Sequence, residues 1–182
     1  MIEVRWHGRG GQGAVTSVEL LAVSAIAAGK FAQGFPSFGP ERRGAPVAAF
    51  TRIDDKKIDV RSGIYEPDVV LVLDSSLIGL VNVLDGLKPG GKVIVNTPKT
   101  PEEIRKDLNF NGPVATVDGT GIARKEMGVP IANTTMIGAL LKVTGIMELD
   151  AMKDSIEHRF GRIAQKNLNA MKRAYDEIKI SE

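Results

Sequence analysis

The chain has no cysteine and only two histidines, His7 and His158. The first absence excludes disulfides, thiolate metal sites and iron–sulfur ligation by this chain. The second argues against a histidine-rich metal centre. Charge is nearly balanced, at a formal +2, and no extended Lys/Arg run marks a nucleic-acid groove. Long apolar runs are missing too. The longest, near Leu20 to Ala28, contains Ser24 and stops at Gly29-Lys30, too short to span a bilayer. The start, Met1-Ile2-Glu3-Val4, lacks the basic and apolar regions of a signal peptide, so the expected location is cytoplasmic, with neither membrane nor nucleic acid as a partner.

What is present fits one α/β domain over 1–182. Hydrophobic content is 43% and charged content 25%, ordinary values for a globular protein. Ile2, Val4 and Trp6 alternate as a strand, and Ala14 to Ala28 reads as a buried helix with Gly29 at its end. Lys30 to Phe35 reads as a second strand. Val47 to Ile53 and Ile58 to Arg61 are expected to form a hairpin around Asp54-Asp55-Lys56-Lys57. Asp68 to Asp74 is apolar on both alternating faces, as in a parallel strand buried between helices. Ser75 or Ser76 is expected to cap a helix carrying Leu77, Leu80, Val81 and Leu84. Val93 to Asn96 and Val114 to Val117 are strands, the second expected to be the last. Thr100-Pro101-Glu102-Glu103 opens a short helix. Beyond Thr120 the pattern is helical: Ile122 to Met127, Asn133 to Thr144, Leu149 to Phe160 and Ala164 to Ile178. The expected fold is a three-layer, Rossmann-like α/β domain with a mostly parallel sheet, a β-hairpin and a helical C-terminal third.

Three stretches carry candidate chemistry. In Gly8-Arg9-Gly10-Gly11-Gln12-Gly13, glycines stand between a strand and a helix with the spacing G-x-G-x-x-G. Such a junction leaves backbone N–H groups free at the positive end of a helix dipole, a ready site for phosphate or carboxylate. A dinucleotide site also needs an acid at the end of the second strand. This chain has Gln33-Gly34-Phe35-Pro36 there, and Glu41 lies beyond two prolines. Walker-type binding fails, because no Gly-Lys-Ser/Thr follows the glycines. The loop either lets helix and strand pack closely or holds an anion without reading a ribose.

The second stretch, Pro36 to Pro46, is a Pro/Gly-rich loop with Phe38, Glu41, Arg42 and Arg43. Adjacent arginines are either solvated charge or, beside Phe35 and Phe38, a carboxylate or phosphate clamp or an interface anchor. A loop after the second strand shares the carboxyl edge with the glycines. The third, Asn133-Thr134-Thr135, starts a helix and reads as caps or as a second donor set at that edge. His7 has no nucleophile arranged with it, and Asp68, Asp74 and Asp118 fall at strand ends, where turn and cap roles are common. No catalytic residue and no metal site are assigned.

His7-Gly8-Arg9-Gly10-Gly11-Gln12-Gly13 together with Phe35-Pro36-Ser37-Phe38-Gly39-Pro40-Glu41-Arg42-Arg43-Gly44-Ala45-Pro46 closely resembles the gamma subunit of 2-oxoacid:ferredoxin oxidoreductases. The likeness continues through Tyr65-Glu66-Pro67-Asp68, Val95-Asn96-Thr97 and Ile131-Ala132-Asn133-Thr134. It is strongest toward the gamma chains of pyruvate synthase, some of them shared with a ketoisovalerate enzyme. The resemblance implies a heterotetramer with alpha, beta and delta subunits that turns a 2-oxoacid, coenzyme A and oxidised ferredoxin into acyl-CoA, carbon dioxide and reduced ferredoxin. It puts thiamine diphosphate, Mg and the iron–sulfur clusters in partner subunits, and no cofactor on this chain alone. It implies that the gamma chain helps hold coenzyme A, a substrate, and packs against its partners, with ferredoxin reached through the complex. The alternative is a stand-alone nucleotide- or anion-binding protein of the same fold.

Overall fold

The computed structural model describes residues 1–37 and 43–182. Among them, seven strands form one sheet in the order β2-β3-β1-β4-β5-β6-β7. These are β1 (Ile2–Arg9), β2 (Phe31–Pro36), β3 (Pro46–Asp54), β4 (Val69–Val72), β5 (Lys92–Asn96), β6 (Val114–Val117) and β7 (Lys179–Ser181). Four of the five inner strands, β1, β4, β5 and β6, run parallel; β3 pairs antiparallel with β1 and with the edge strand β2, and β7 pairs antiparallel with β6 at the other edge.

Side-chain alternation assigns each face of the sheet. Val4 and Trp6 of β1, Val69 and Leu71 of β4 and Ile94 of β5 enter one core with the helices α1 (Ala14–Ala27), α3 (Gly119–Met127), α4 (Asn133–Thr144), α5 (Lys153–Phe160) and α6 (Ala164–Glu177). Their neighbours Val70, Val72, Val93 and Val95 face the other way, onto Ile104 of α2 (Pro101–Leu108) and onto Val83. β4 is therefore buried on both sides, which is why it reads as an unbroken apolar run. Thr100 and Glu103 form a capping box that starts α2, as the sequence suggests. Gly34 of β2 lies against α1 so closely that a Cβ there would stand 2.5 Å from the Val18 carbonyl oxygen. Only glycine allows that approach.

Three expectations fail. The hairpin pairs β3 with β2, from Phe31 opposite Asp54 to Pro36 opposite Ala49, and residues 58–61 form no strand. Gln33 of β2 instead donates its side-chain N–H to the Val60 carbonyl. Leu77, Leu80, Val81 and Leu84 lie on no α-helix: a single 3₁₀ turn, Ser75–Leu77, is followed by turns with Gly79 and Gly86 at φ 86° and 66°. Its cap is Asp74, not Ser75 or Ser76. Val81 and Leu84 join a thin apolar layer over β4 and β5, Leu77 is buried, and Leu80 is exposed. Finally, β6 is not the last strand, because β7 pairs antiparallel with it after α6 ends at Glu177.

Candidate functional site

The glycine loop stands at the carboxyl edge of the parallel strands, between β1 and α1. Gly11 and Gly13 have φ of 92° and 82°, the left-handed region that favours glycine. Gly13 caps α1 with its backbone alone, and no side chain bonds to the free N–H groups behind it. The loop is braced from below. Gln12 accepts from the Arg9 backbone N–H at 2.7 Å and donates to Asp74 at 2.7 Å. Arg9 donates to Ser76 and to the Gly44 carbonyl and pairs with Asp74 at 3.2 Å. Burial pushes the Asp74 carboxyl up, but hydrogen bonds from Ser76 and Gln12, with the Arg9 charge, outweigh it and hold its pKa below the ordinary value.

The expected meeting of the glycine and arginine loops occurs at Arg43. β2 and β1 both run antiparallel to β3, so their carboxyl ends share one edge. There Gly10 bridges to Arg43, donates to the Ala45 carbonyl at 2.9 Å and accepts from the Gly44 N–H at 3.0 Å. Phe38, Glu41 and Arg42 lie outside the described residues.

Asn133 and Thr134 also reach this edge, though not as caps. The residue before α4 is Ala132, and no side chain caps that helix. Asn133, 8% exposed, points its amide N–H toward the Gly13 carbonyl at 3.5 Å. A Cβ on Gly13 would meet that amide at 2.4 Å. Thr134 donates to Asn167 at 2.7 Å, and Asn167 in turn donates to the Ile163 carbonyl just before α6. The sequence leaves Asn133 and Thr134 as caps or as a second donor set; the Gly13 carbonyl and the buried Asn167 of α6 take their polar groups.

A cleft of about 400 Å³ opens where these parts converge, lined by Gly11, Gly13, Asn133, Arg159, Lys166 and Asn167 among others. The starts of α1, α4 and α6 meet around it. None has a side-chain cap, and none has an acid in its first turn. The contrast with α2 and α3 is sharp, since Thr100 and Asp118 cap those helices away from the cleft. Arg159 and Lys166 stand on the rim and no carboxylate is among the lining residues, so the charged side chains of the cleft are positive. Sequence reading missed Arg159, Lys166 and Asn167. The available signal was negative: α4 and α6 begin without a Ser, Thr, Asp or Asn directly before them.

His7 faces the other side of the sheet, where its Nε2 accepts from Arg5 Nε at 3.1 Å. Burial first, and the Arg5 charge second, push its pKa down to about 4. Asp68 and Asp118 have structural partners: Asp68 accepts from the Glu3 N–H and pairs with Lys88, and Asp118 caps α3. Among the described residues, no group of three or more His, Asp or Glu is placed to hold a metal ion. No described helix is long and apolar enough to cross a membrane.

Residues 3–177 match the family model for pyruvate ferredoxin/flavodoxin oxidoreductase. The chain is 52% identical, over 184 residues and the full length of both chains, to the pyruvate/ketoisovalerate oxidoreductases common subunit gamma of Thermococcus kodakarensis. Its fold matches the crystal structure of pyruvate oxidoreductase subunit PORC from Thermotoga maritima with a TM-score of 0.90 at 43% identity, covering 100% of this chain and 98% of that one. It also matches 2-oxoglutarate:ferredoxin oxidoreductase from Magnetococcus marinus, solved with 2-oxoglutarate, coenzyme A and succinyl-CoA bound. There the TM-score is 0.77 at 21% identity, and the match covers 96% of this chain and 30% of that one, a likeness of fold.

Proposed function

The chain belongs to the pyruvate ferredoxin/flavodoxin oxidoreductase family, as the gamma subunit of a multi-subunit enzyme, and we propose that its glycine-loop cleft holds the anionic part of coenzyme A. In this reading the assembled enzyme converts a 2-oxoacid, coenzyme A and oxidised ferredoxin into acyl-CoA, carbon dioxide and reduced ferredoxin. Pyruvate is the favoured substrate, and the enzyme works in the cytoplasm. The gamma chain acts as one domain that binds and positions, alongside alpha, beta and delta subunits. Those partners carry thiamine diphosphate, Mg and the iron–sulfur clusters, a division that suits a chain without cysteine. Gly8 to Gly13 form the floor, and Phe38, Glu41, Arg42 and Arg43 act as clamp or interface.

One observation carries the proposal: three helix starts without side-chain caps converge on one cleft that has two cations and no acid. The backbone N–H groups at the starts of α1 and α4 suit phosphate oxygens, which accept hydrogen bonds and carry the charge that the helix dipoles favour. At α6 the Gly161 carbonyl already takes the Ala164 N–H. Coenzyme A bound to the Magnetococcus enzyme supports the choice of ligand.

Steady-state kinetics of the reconstituted complex test it. Arg159 and Lys166 are exposed, so their replacement should leave folding intact. R159A/K166A, and separately R42A/R43A, should raise KM for coenzyme A about tenfold or more while kcat changes little, since charge-assisted hydrogen bonds to phosphate are lost. Unchanged KM in R159A/K166A would overturn the assignment of the cleft. Unchanged kinetics and assembly in R42A/R43A would overturn the role given to those arginines. The isolated chain should show no oxidoreductase activity.

A further inference from the structure

The sheet face turned away from α1 carries a second cleft, of about 520 Å³, lined by Arg5, Phe35, Phe50, Arg61, Tyr65 and Asp85 among others. Two buried arginines lie on this face, and their situations differ. Arg52 is fully engaged: it pairs with Glu3 at 2.8 Å and donates to Gln33 and to the Gly63 carbonyl. Arg5, 8% exposed, donates to His7 Nε2 and to the carbonyls of Val83 and Asp85. Among the described residues, its Nη1 has no hydrogen-bond partner and no carboxylate lies within ion-pair distance of its guanidinium. Burial accordingly lowers the Arg5 pKa, partly offset by the more distant Asp85 carboxylate. His7, held neutral above about pH 4, accepts a hydrogen bond from Arg5 without neutralising its charge.

The surroundings say what is missing. Arg61 adds a second, exposed cation, against the single carboxylate of Asp85. Phe35 and Phe50 form a tilted pair with ring centroids 5.3 Å apart. Tyr65, 77% exposed, stands beside them with its ring in solvent, and Phe31 and Val60 extend the apolar surface. Among the described residues no helix covers this part of the sheet, and the irregular segment around 58–66 lies over β2 and β3. Arginine and aromatic side chains grouped this way are the composition of interface anchors. A small molecule would leave Tyr65, Phe31 and Val60 uncovered, whereas a polypeptide segment covers them.

We infer that this face docks an acidic segment of another subunit of the complex, with an Asp or Glu carboxylate against Arg5 Nη1 and Arg61 and an apolar side chain resting on Phe35, Phe50 and Tyr65. The inference rests on the chain being a subunit, and it is independent of the coenzyme A assignment.

The test uses Arg61→Glu combined with Tyr65→Ala, both at exposed positions, so the isolated variant should keep the circular dichroism and melting temperature of the parent. Its Kd for the purified remainder of the complex should rise at least 100-fold, and Arg61→Lys should stay within a few-fold of the parent. On assembly, amide exchange should slow in β2 and in 58–66. At saturating subunit concentrations the variant complex should show the parental KM for coenzyme A, whereas R159A/K166A changes that KM and leaves assembly intact. A Kd within threefold of the parent, or unchanged exchange, would overturn the inference. So would a dimer of the isolated chain abolished by the same substitutions, which would make the occupant a second copy. Benzoate binding in the cleft by an isolated chain whose variants assemble normally would likewise overturn it, in favour of a small carboxylate.

Discussion

Neighbouring residues of β1 meet opposite kinds of burial. Val4 and Trp6, at 1% and 0% exposure, enter the core under α1 and α4, while Arg5 between them is 8% exposed on the other face. On the helix side apolar surface leaves water, and the Trp6 Nε1–H donates to Thr51 at 3.1 Å. On the other side each buried charge needs a partner, and Glu3, Arg52, Lys88 and Asp68 form such a network. Arg5 lacks an ion pair among the described residues. Burial is thus matched by charged partners along the network of Glu3, Arg52, Lys88 and Asp68, whereas Arg5 donates to neutral acceptors.

The largest effect should come from breaking the apolar side. Trp6→Ala removes a fully buried indole and leaves Thr51 without that donor, which should cost about 3–5 kcal/mol in denaturant unfolding of the isolated chain. A loss near 1 kcal/mol would mean that the core beneath α1 collapses to fill the space.

The polar side should respond to pH. The folded chain keeps His7 neutral down to about 4, against an ordinary value of 6.5. Between those values the unfolded state binds more protons. The stability that His7 contributes is therefore full above about pH 6.5 and is lost as pH falls toward 4, on the order of 3 kcal/mol in all. Unfolding free energies across that window should show the slope, and His7→Asn should remove most of it. An unaltered slope would assign the proton uptake elsewhere.

Gly34→Ala sharpens the helix side at smaller scale. Its Cβ would press on the Val18 carbonyl and force α1 from β2, at a cost of about 1–3 kcal/mol. A neutral result in thermal melts would show that α1 can shift without penalty.

Legibility followed how local each signal was. The strand–glycine–helix junction, the capping box at Thr100 and the limits of α4 from Asn133 to Thr144 were all readable, because each depends on residues within one or two turns. The hairpin was misread because Asp54-Asp55-Lys56-Lys57 has turn composition, yet the partner of β3 is β2, chosen by packing against β1 and α1. Leu77 to Leu84 carried a helical period, but left-handed glycines at 79 and 86 interrupt it; Val81 and Leu84 cover the valines of β4 and β5 while Leu80 stays exposed. In the candidate site, the glycines and the meeting with Arg43 were foreseeable from strand order. The contributions of Arg159, Lys166 and Asn167 were not, since they arrive on helices far along the chain.

By itself, then, the sequence determined the α/β class, the strand–glycine–helix junction after β1 and the lack of cysteine chemistry. Each follows from residue type and short-range geometry. Only the tertiary structure decided that three helices begin without side-chain caps around one cleft, that Asn133 reaches the Gly13 carbonyl and Thr134 bonds to Asn167, and that among the described residues Arg5 is buried without an ion pair. Those facts depend on which distant segments become neighbours, and burial changes the energetic meaning of a polar group only once its neighbours are in place.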